Sequence, residues 1–277
     1  MGIDITAAGK TSSEFKNTYS WKDYALYALG VGAGTSQLRY LLDDPPLEAL
    51  PTFGVVPSFE PVFSLLKEIG GDHVNLLHNS QTVINHRPWP MDETLTTTAQ
   101  AEGVWDMKVG ALVNIVSRTM DRDESLIAET TWQLLLRGEG GFGGPRPPAM
   151  LRAKVPKDSE PMLEAEEPTL GIQALLYRLS GDINPIHSRP DVARQAGFDT
   201  PILHGLCTYG IAARVVIEGI LEGDPMKMQS FSGRFVKVVY PSDTLVVRAW
   251  ETGDEIIVNV DVKQRNENVL IGRMKAR

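Results

Sequence analysis

A single cysteine, Cys207, is all the thiol chemistry the chain has. One cysteine excludes an intramolecular disulfide and fits a reducing compartment, and it reads as a packed small residue rather than a nucleophile. No apolar run is long enough to span a bilayer, and the polar N-terminus is unlike a secretory signal. The final Lys275-Ala-Arg277 is not an address of the Ser-Lys-Leu type. A cytoplasmic protein without membrane attachment is the expectation. Basic residues are also scarce: 27 Lys and Arg stand against 35 Asp and Glu, a net charge of −8. That balance lacks the basic surface on which non-specific nucleic-acid binding relies, so no nucleic-acid partner is expected. Any phosphate-bearing ligand has to meet a local cluster of cations. The Gly30-Val-Gly-Ala-Gly34 run lacks both the preceding buried strand and the Gly spacing of a dinucleotide fingerprint, which leaves a turn.

What the chain does have is apolar content, 42% over 277 residues, ample for one large domain or two small ones. Residues 1–18 are polar and read as a loosely packed arm. The spacing of Tyr24, Leu26, Tyr27 and Leu29 predicts a helix over Trp21 to Gly30, and Val62 to Ile69 has helical spacing as well. From Leu76 the pattern changes. Gln81 to His86, Leu95 to Trp105, Ala111 to Thr119 and Leu126 to Leu136 are rich in Val, Ile, Thr and Trp and are separated by turn residues, which predicts strands. Residues 138–168, rich in Gly, Pro and Glu with no steady period, read as a linker between halves 1–137 and 169–277.

Beyond that linker the order repeats. Tyr177 follows Tyr27 at the same interval as Pro201 follows Pro51, and Pro241-Ser-Asp243 before a strand resembles Pro90-Met-Asp92. The chain therefore reads as two copies of one α+β unit, a helix followed by an antiparallel meander.

The chemistry concentrates in Leu175 to Arg214. Pro185 forbids a regular helix through Ser180-Gly-Asp-Ile-Asn-Pro-Ile-His187, so the segment is a compact turn that gathers Asp182, Asn184 and His187. Ser188 can cap a short helix from Pro190 to Ala196, and a second helix runs from His204 to Leu221, with Gly205 at its start. Free N–H groups at such a start suit an oxygen that becomes negative. A carboxylate, an imidazole and a helix N–H together make a proton-transfer site α to a carbonyl. Each residue also has a structural reading: Asp182 and Asn184 as turn residues, His187 as a satisfied core imidazole, His204 as a hydrogen bond at the helix start.

The runs Tyr177-Arg-Leu-Ser-Gly-Asp182, Asn184-Pro-Ile-His187, Ala196-Gly-Phe198 and Pro201-Ile-Leu-His-Gly-Leu-Cys-Thr208 resemble the signature of the MaoC-like (R)-specific enoyl-CoA hydratases of the hydratase 2 branch. The likeness extends to Tyr27 to Ala33, Leu50 to Gly54 and Gly140 to Gly144. It implies a double hot-dog fold and reversible syn addition of water to a trans-2-enoyl-CoA, giving a (3R)-3-hydroxyacyl-CoA without metal or redox cofactor. Residue by residue it implies that Asp182 and His187 are the catalytic pair, that Asn184 positions them and the water, and that Gly205 N–H holds the thioester oxygen. His204 is a further candidate for substrate contact, Arg234 and Lys237 are candidates for the CoA phosphates, and a homodimer is expected. The first half has neither acid nor imidazole where the second has its pair, and Gly32 and Gly34 are compatible with a missing wall that admits a bulky acyl chain. The chain departs from the family at Asp43-Asp44 and at His78-Asn-Ser-Gln81, and one of Asp43, Asp44 or Glu48 is expected to pair with Arg178 in place of a family glutamate. A hot-dog thioesterase and a non-catalytic acyl-CoA binding protein are the rival readings.

Overall fold

The computed structural model describes residues 2–44, 47–73, 76–147, 153–156 and 159–277. Its strands are β1 (Phe15–Tyr19), β2 (Leu76–Asn85), β3 (Glu93–Asp106), β4 (Gly110–Met120) and β5 (Leu126–Arg137) in the first half. The second half supplies β6 (Leu163–Pro168), β7 (Met228–Phe235), β8 (Thr244–Thr252), β9 (Glu255–Val262) and β10 (Glu267–Ala276). All ten join one antiparallel sheet in the order β1-β3-β4-β5-β2-β7-β10-β9-β8-β6. That order reads the same from either edge once the halves are exchanged. At the centre, β2 pairs with β7, and Thr82 Oγ1 donates to Ser232 Oγ at 2.9 Å, two residues 150 positions apart at the middle of the junction.

The helices repeat at the same interval. In the first half α1 (Trp21–Gly30) and α2 (Val55–Ile69) lie against the sheet. In the second, α3 (Gln173–Tyr177) matches α1, α4 (Pro190–Gln195) stands where the first half has only the short turn Leu38–Tyr40, and α5 (Gly205–Gly219) matches α2. α1 begins where the Ser20 N–H donates to the Asp23 carboxylate at 2.7 Å, which occupies an orphan donor of the first turn. α2 starts seven residues ahead of the expected Val62, despite Pro57 and Pro61. Pro57 falls in the first turn, where no N–H is needed, and Pro61 loses only its bond to the Pro57 carbonyl. A stripe of Val55, Val62, Leu65, Leu66 and Ile69 is then buried on the sheet.

Two expectations are overturned here. The arm ends in strand β1, whose Phe15–Tyr19 pairs with Thr97 to Glu93; five residues of mixed polarity suffice for an edge strand with one face buried. Within the expected linker 138–168, the acidic Leu163–Pro168 is strand β6, the opposite edge, paired with Ala249 to Thr244 of β8. Two of its glutamates point outward to cations, Glu164 to Arg248 and Glu166 to Lys263, while Glu167 faces inward to Arg214, so polarity alone hid the alternation. Residues 148–152 and 157–158 of the same stretch lie outside the described residues. The Gly140 to Gly144 run is a turn held by the Asp106 carboxylate, which accepts from Gly141 and Gly143 N–H at 3.0 and 2.6 Å. Among the described residues no helix is long and apolar enough to cross a membrane.

The halves share one core. Tyr27 and Tyr177, equivalent residues of α1 and α3, face each other with ring centroids 6.0 Å apart. Gly210 of α5 packs so closely on Val31 that a Cβ there would lie 2.4 Å from a methyl carbon. Arg214, 3% exposed, reaches from α5 into the first half, where its Nε donates to the Val31 carbonyl and Nη1 to Gln37 Oε1, while Nη2 donates to Glu167 of β6 in its own half. The expected missing wall at Gly32 is thus filled, since a Cβ on Gly32 would meet Arg214 Nη2 at 3.2 Å. Gly34 has nothing within 4 Å.

Candidate active site

The segment after α3 folds as the sequence requires. Pro185 forces a 3-10 turn over Pro185–His187, and Asn184 caps it by accepting from Ile186 N–H at 3.1 Å. Asp182 accepts from Asn184 N–H at 3.2 Å. The turn therefore consumes the Asn184 oxygen and leaves its NH2 group free on the cavity wall. Ser188 does not cap α4; Arg189 precedes that helix and Pro190 takes its first position.

The turn carries Asp182 and His187 to the N-terminus of α5. One carboxylate oxygen of Asp182 and one ring nitrogen each of His187 and His204 lie within 4.8 Å of one another. The two imidazoles stack, with centroids 3.7 Å apart and planes at 27°.

Backbone carbonyls fix both tautomers. His187 Nδ1 faces the Ile202 carbonyl at 2.9 Å and must donate to it, which leaves Nε2 as the basic nitrogen. His204 Nε2 likewise donates to the Asp182 carbonyl at 3.0 Å, tying the helix start to the turn. Burial, with the His187 charge second, pushes His204 down to about 2, so this ring stays neutral. Its Nδ1 has no partner. Burial also lowers His187 and raises the Asp182 carboxyl, each effect opposed by attraction between the two.

Asp182, Asn184 and His187 line a cavity of ≈ 530 Å³, whereas His204, an expected substrate contact, does not. Gly205, the first residue of α5, lines it with an N–H that has no acceptor within the helix. A Cβ on Gly205 would lie 3.1 Å from the Phe235 ring, which explains the glycine. The apolar walls come from both halves: Phe59 and Phe63 of α2 and Trp132 of β5 from the first, Phe235 to Val239 from the second.

Of the expected ligand contacts, Lys237 lines the cavity and pairs with Glu267 at 2.7 Å. Arg234 does not line it, because alternation along β7 turns Arg234 to the face of the sheet opposite Phe235. Arg178 has no carboxylate partner among the described residues, and its buried Nε is unbonded; Glu48 is held by Arg39 at 3.7 Å. Two lining residues escape a reading of the sequence. Thr208, one turn after Gly205 on the same face of α5, has a buried, unpartnered Oγ1, and its spacing of three from Gly205 is the available signal. His78 of β2 stacks on Trp132 at 5.0 Å with Nε2 unbonded, and only the assembled sheet brings it to the site.

With the geometry in place, the comparisons decide the family. A MaoC like domain matches residues 153–271, and an MFE-2 hydratase 2 N-terminal domain matches residues 17–138. The peroxisomal enoyl-CoA hydratase 2 of Arabidopsis thaliana is 34% identical over 95% of this chain and 92% of its own. The chain belongs to the MaoC-like hydratase 2 family. A MaoC-like dehydratase from Phytophthora capsici superposes with a TM-score of 0.88 at 26% identity, covering 99% of this chain and 97% of its own. A Mycobacterium tuberculosis protein with a double hotdog fold, 17% identical, superposes at 0.61 over 97% of this chain and 96% of its own, which supports the fold alone. Both halves of the hydratase 2 family pattern are therefore present in one double hot-dog chain.

Proposed function

We propose that this protein adds water reversibly to a trans-2-enoyl-CoA thioester, giving a (3R)-3-hydroxyacyl-CoA. The observation that carries the reading is the convergence of Asp182, the free Nε2 of His187 and the N–H of Gly205 on one end of a mostly apolar cavity.

Burial favours the uncharged forms of both Asp182 and His187. In the hydration direction His187 Nε2 takes a proton from water as the water oxygen bonds to Cβ. The π electrons shift toward the thioester carbonyl, whose developing negative charge is held by Gly205 N–H. Asp182 then delivers its proton to Cα on the same face, which gives syn addition, and the imidazolium returns a proton to the carboxylate. Dehydration runs the same transfers backward. The Asn184 NH2 group orients the water. No electrons leave the substrate and a backbone N–H supplies the polarisation, so the proposed step includes neither metal nor redox cofactor. Lys237 is the proposed contact for the CoA phosphates. A homodimer in the cytoplasm completes the proposal; the lone, buried Cys207 fits a reducing compartment.

The test is the absorbance of the conjugated enoyl thioester after adding protein to crotonyl-CoA and to a long-chain trans-2-enoyl-CoA, with chiral analysis of the product. Loss of the band to the (3R) alcohol is expected, with kcat reduced about 10²- to 10⁴-fold in Asp182→Asn. Release of free thiol while the band persists would instead make the protein a thioesterase.

A further inference from the structure

A second cavity, of ≈ 290 Å³, lies at the far end of β2, bounded by Pro51, by Asn85 and the loop after it, and by the turn Pro225–Lys227. Its place is the internal two-fold image of the cavity that holds Asp182. The interval of 150 that relates Thr82 to Ser232 also carries Asn85 onto Phe235, Arg87 onto Lys237, Trp89 onto Val239 and His78 onto Met228. Each of these eight residues lines its own cavity.

The image has no acid and no imidazole. Gly32 and Gln37 stand where the second half has Asp182 and His187, and Arg214 occupies the Gln37 oxygen. What the second cavity has is buried polar atoms without partners. Asn85 is 5% exposed and neither its Oδ1 nor its Nδ2 makes a hydrogen bond; Trp89 is 7% exposed and its indole N–H has no acceptor. Native interiors rarely leave such groups unpaired, and three on one cavity wall mark a place where another molecule supplies the missing bonds. Arg277 fixes the local backbone by donating to the Asn85 and His86 carbonyls.

We propose that this cavity is a non-catalytic binding site for a small uncharged group with adjacent donor and acceptor atoms, either an adenine edge or a primary carboxamide. A carboxamide offers donor and acceptor in one plane and pairs with such an edge in two bonds, as Asn does with adenine. The Trp89 N–H takes a further acceptor, and Pro51, Pro88 and Met226 give the flat apolar walls that a planar group needs. The volume admits a ring or a short chain, not a whole nucleotide cofactor.

The inference rests on the cavity and not on the proposed reaction, so its test reads binding rather than turnover. The full chain, labelled with 15N at its five tryptophans, is titrated separately with adenosine and with nicotinamide, a planar primary carboxamide. The Trp89 indole resonance is assigned by its absence in Trp89→Phe. A saturable shift of that resonance with one probe is expected, weakened about tenfold or more in Asn85→Leu, the loss of one two-bond contact. A shift with adenosine alone identifies the purine edge, and one with nicotinamide alone the carboxamide. Asn85→Ser provides the same comparison if the leucine variant fails to fold. A Trp89 signal unmoved by both probes at millimolar concentrations, or a shift unchanged in the Asn85 variants, overturns the site.

Discussion

The buried imidazoles tie stability to pH. Burial pushes His78 down to about 4 and His204 to about 2, so both stay neutral in the folded chain where an unfolded imidazole, near 6.5, takes up a proton. Below pH 6.5 the unfolded chain therefore binds protons that the folded one does not, and stability falls as the pH drops. Asp182 works the other way. Its carboxyl is raised above 3.8 by burial, so the folded state protonates first and recovers stability as the pH falls toward 3.8. Thermal melts from pH 7 to pH 5 should show a declining midpoint in wild type and a smaller decline in His204→Asn. Asp182→Asn should melt above wild type at pH 7, with the gap closing near pH 4. A midpoint equally flat in all three proteins would contradict this account. The proposed reacting groups are legible in the sequence because Asp182, Asn184, His187 and Gly205 come from one local stretch whose proline and glycine fix its shape. Arg178 and Arg234 are not: which carboxylate a guanidinium meets, and which face of a strand it takes, is settled by long-range pairing.

At the scale of elements, the contact between α5 and β7 sets the position of the Gly205 N–H, the proposed oxyanion donor. Gly205 begins the helix 3.1 Å, measured from an ideal Cβ, from the ring of Phe235. Gly205→Ala improves helix propensity yet forces the ring or the helix to move. The N–H is then displaced from the oxygen it holds, and misplacement by fractions of an ångström is costly to catalysis. The expected result is a drop in kcat of roughly tenfold to a hundredfold with little change in melting temperature, partly restored by Phe235→Leu in the same chain. Steady-state kinetics of the single and double variants check it; an unchanged kcat would remove Gly205 from the mechanism. Long apolar elements such as α1 and β3 to β5 announce themselves by period. The edge strands do not, since β1 and β6 show solvent one face and carry charge on it. α2 reads short in the sequence because Pro57 and Pro61 look like breakers until their places in the first turns are known.

The whole molecule behaves as a dimer of halves made covalent. Exchange of the halves preserves strand order, the α2 and α5 positions and the Tyr27–Tyr177 contact, yet the two ends have parted in chemistry. One keeps an acid and an imidazole. The other has Gln37 bound by Arg214, which crosses from the second half. Arg214 is thus a structural tie between the halves. Cys207 Sγ–H and Gln173 Nε2–H both reach the Gly30 carbonyl, at 3.2 and 2.6 Å, and five residue pairs join β2 to β7. So many cross-half bonds make the connector dispensable once the chain has folded. A protease site inserted after Gly144 tests that, because this glycine is exposed in a turn and a Cβ added to it would meet nothing within 4 Å. After cleavage the fragments should co-elute as one species and retain activity, because the cavity walls from α2 and β5 stay docked on the Asp182 turn. In Arg214→Met the cut protein should separate at lower denaturant, by about 2 kcal/mol, since the bonds to the Val31 carbonyl and to Gln37 that cross between the fragments are lost. Fragments that part without denaturant would mean that the connector, and not the shared core, holds the halves together.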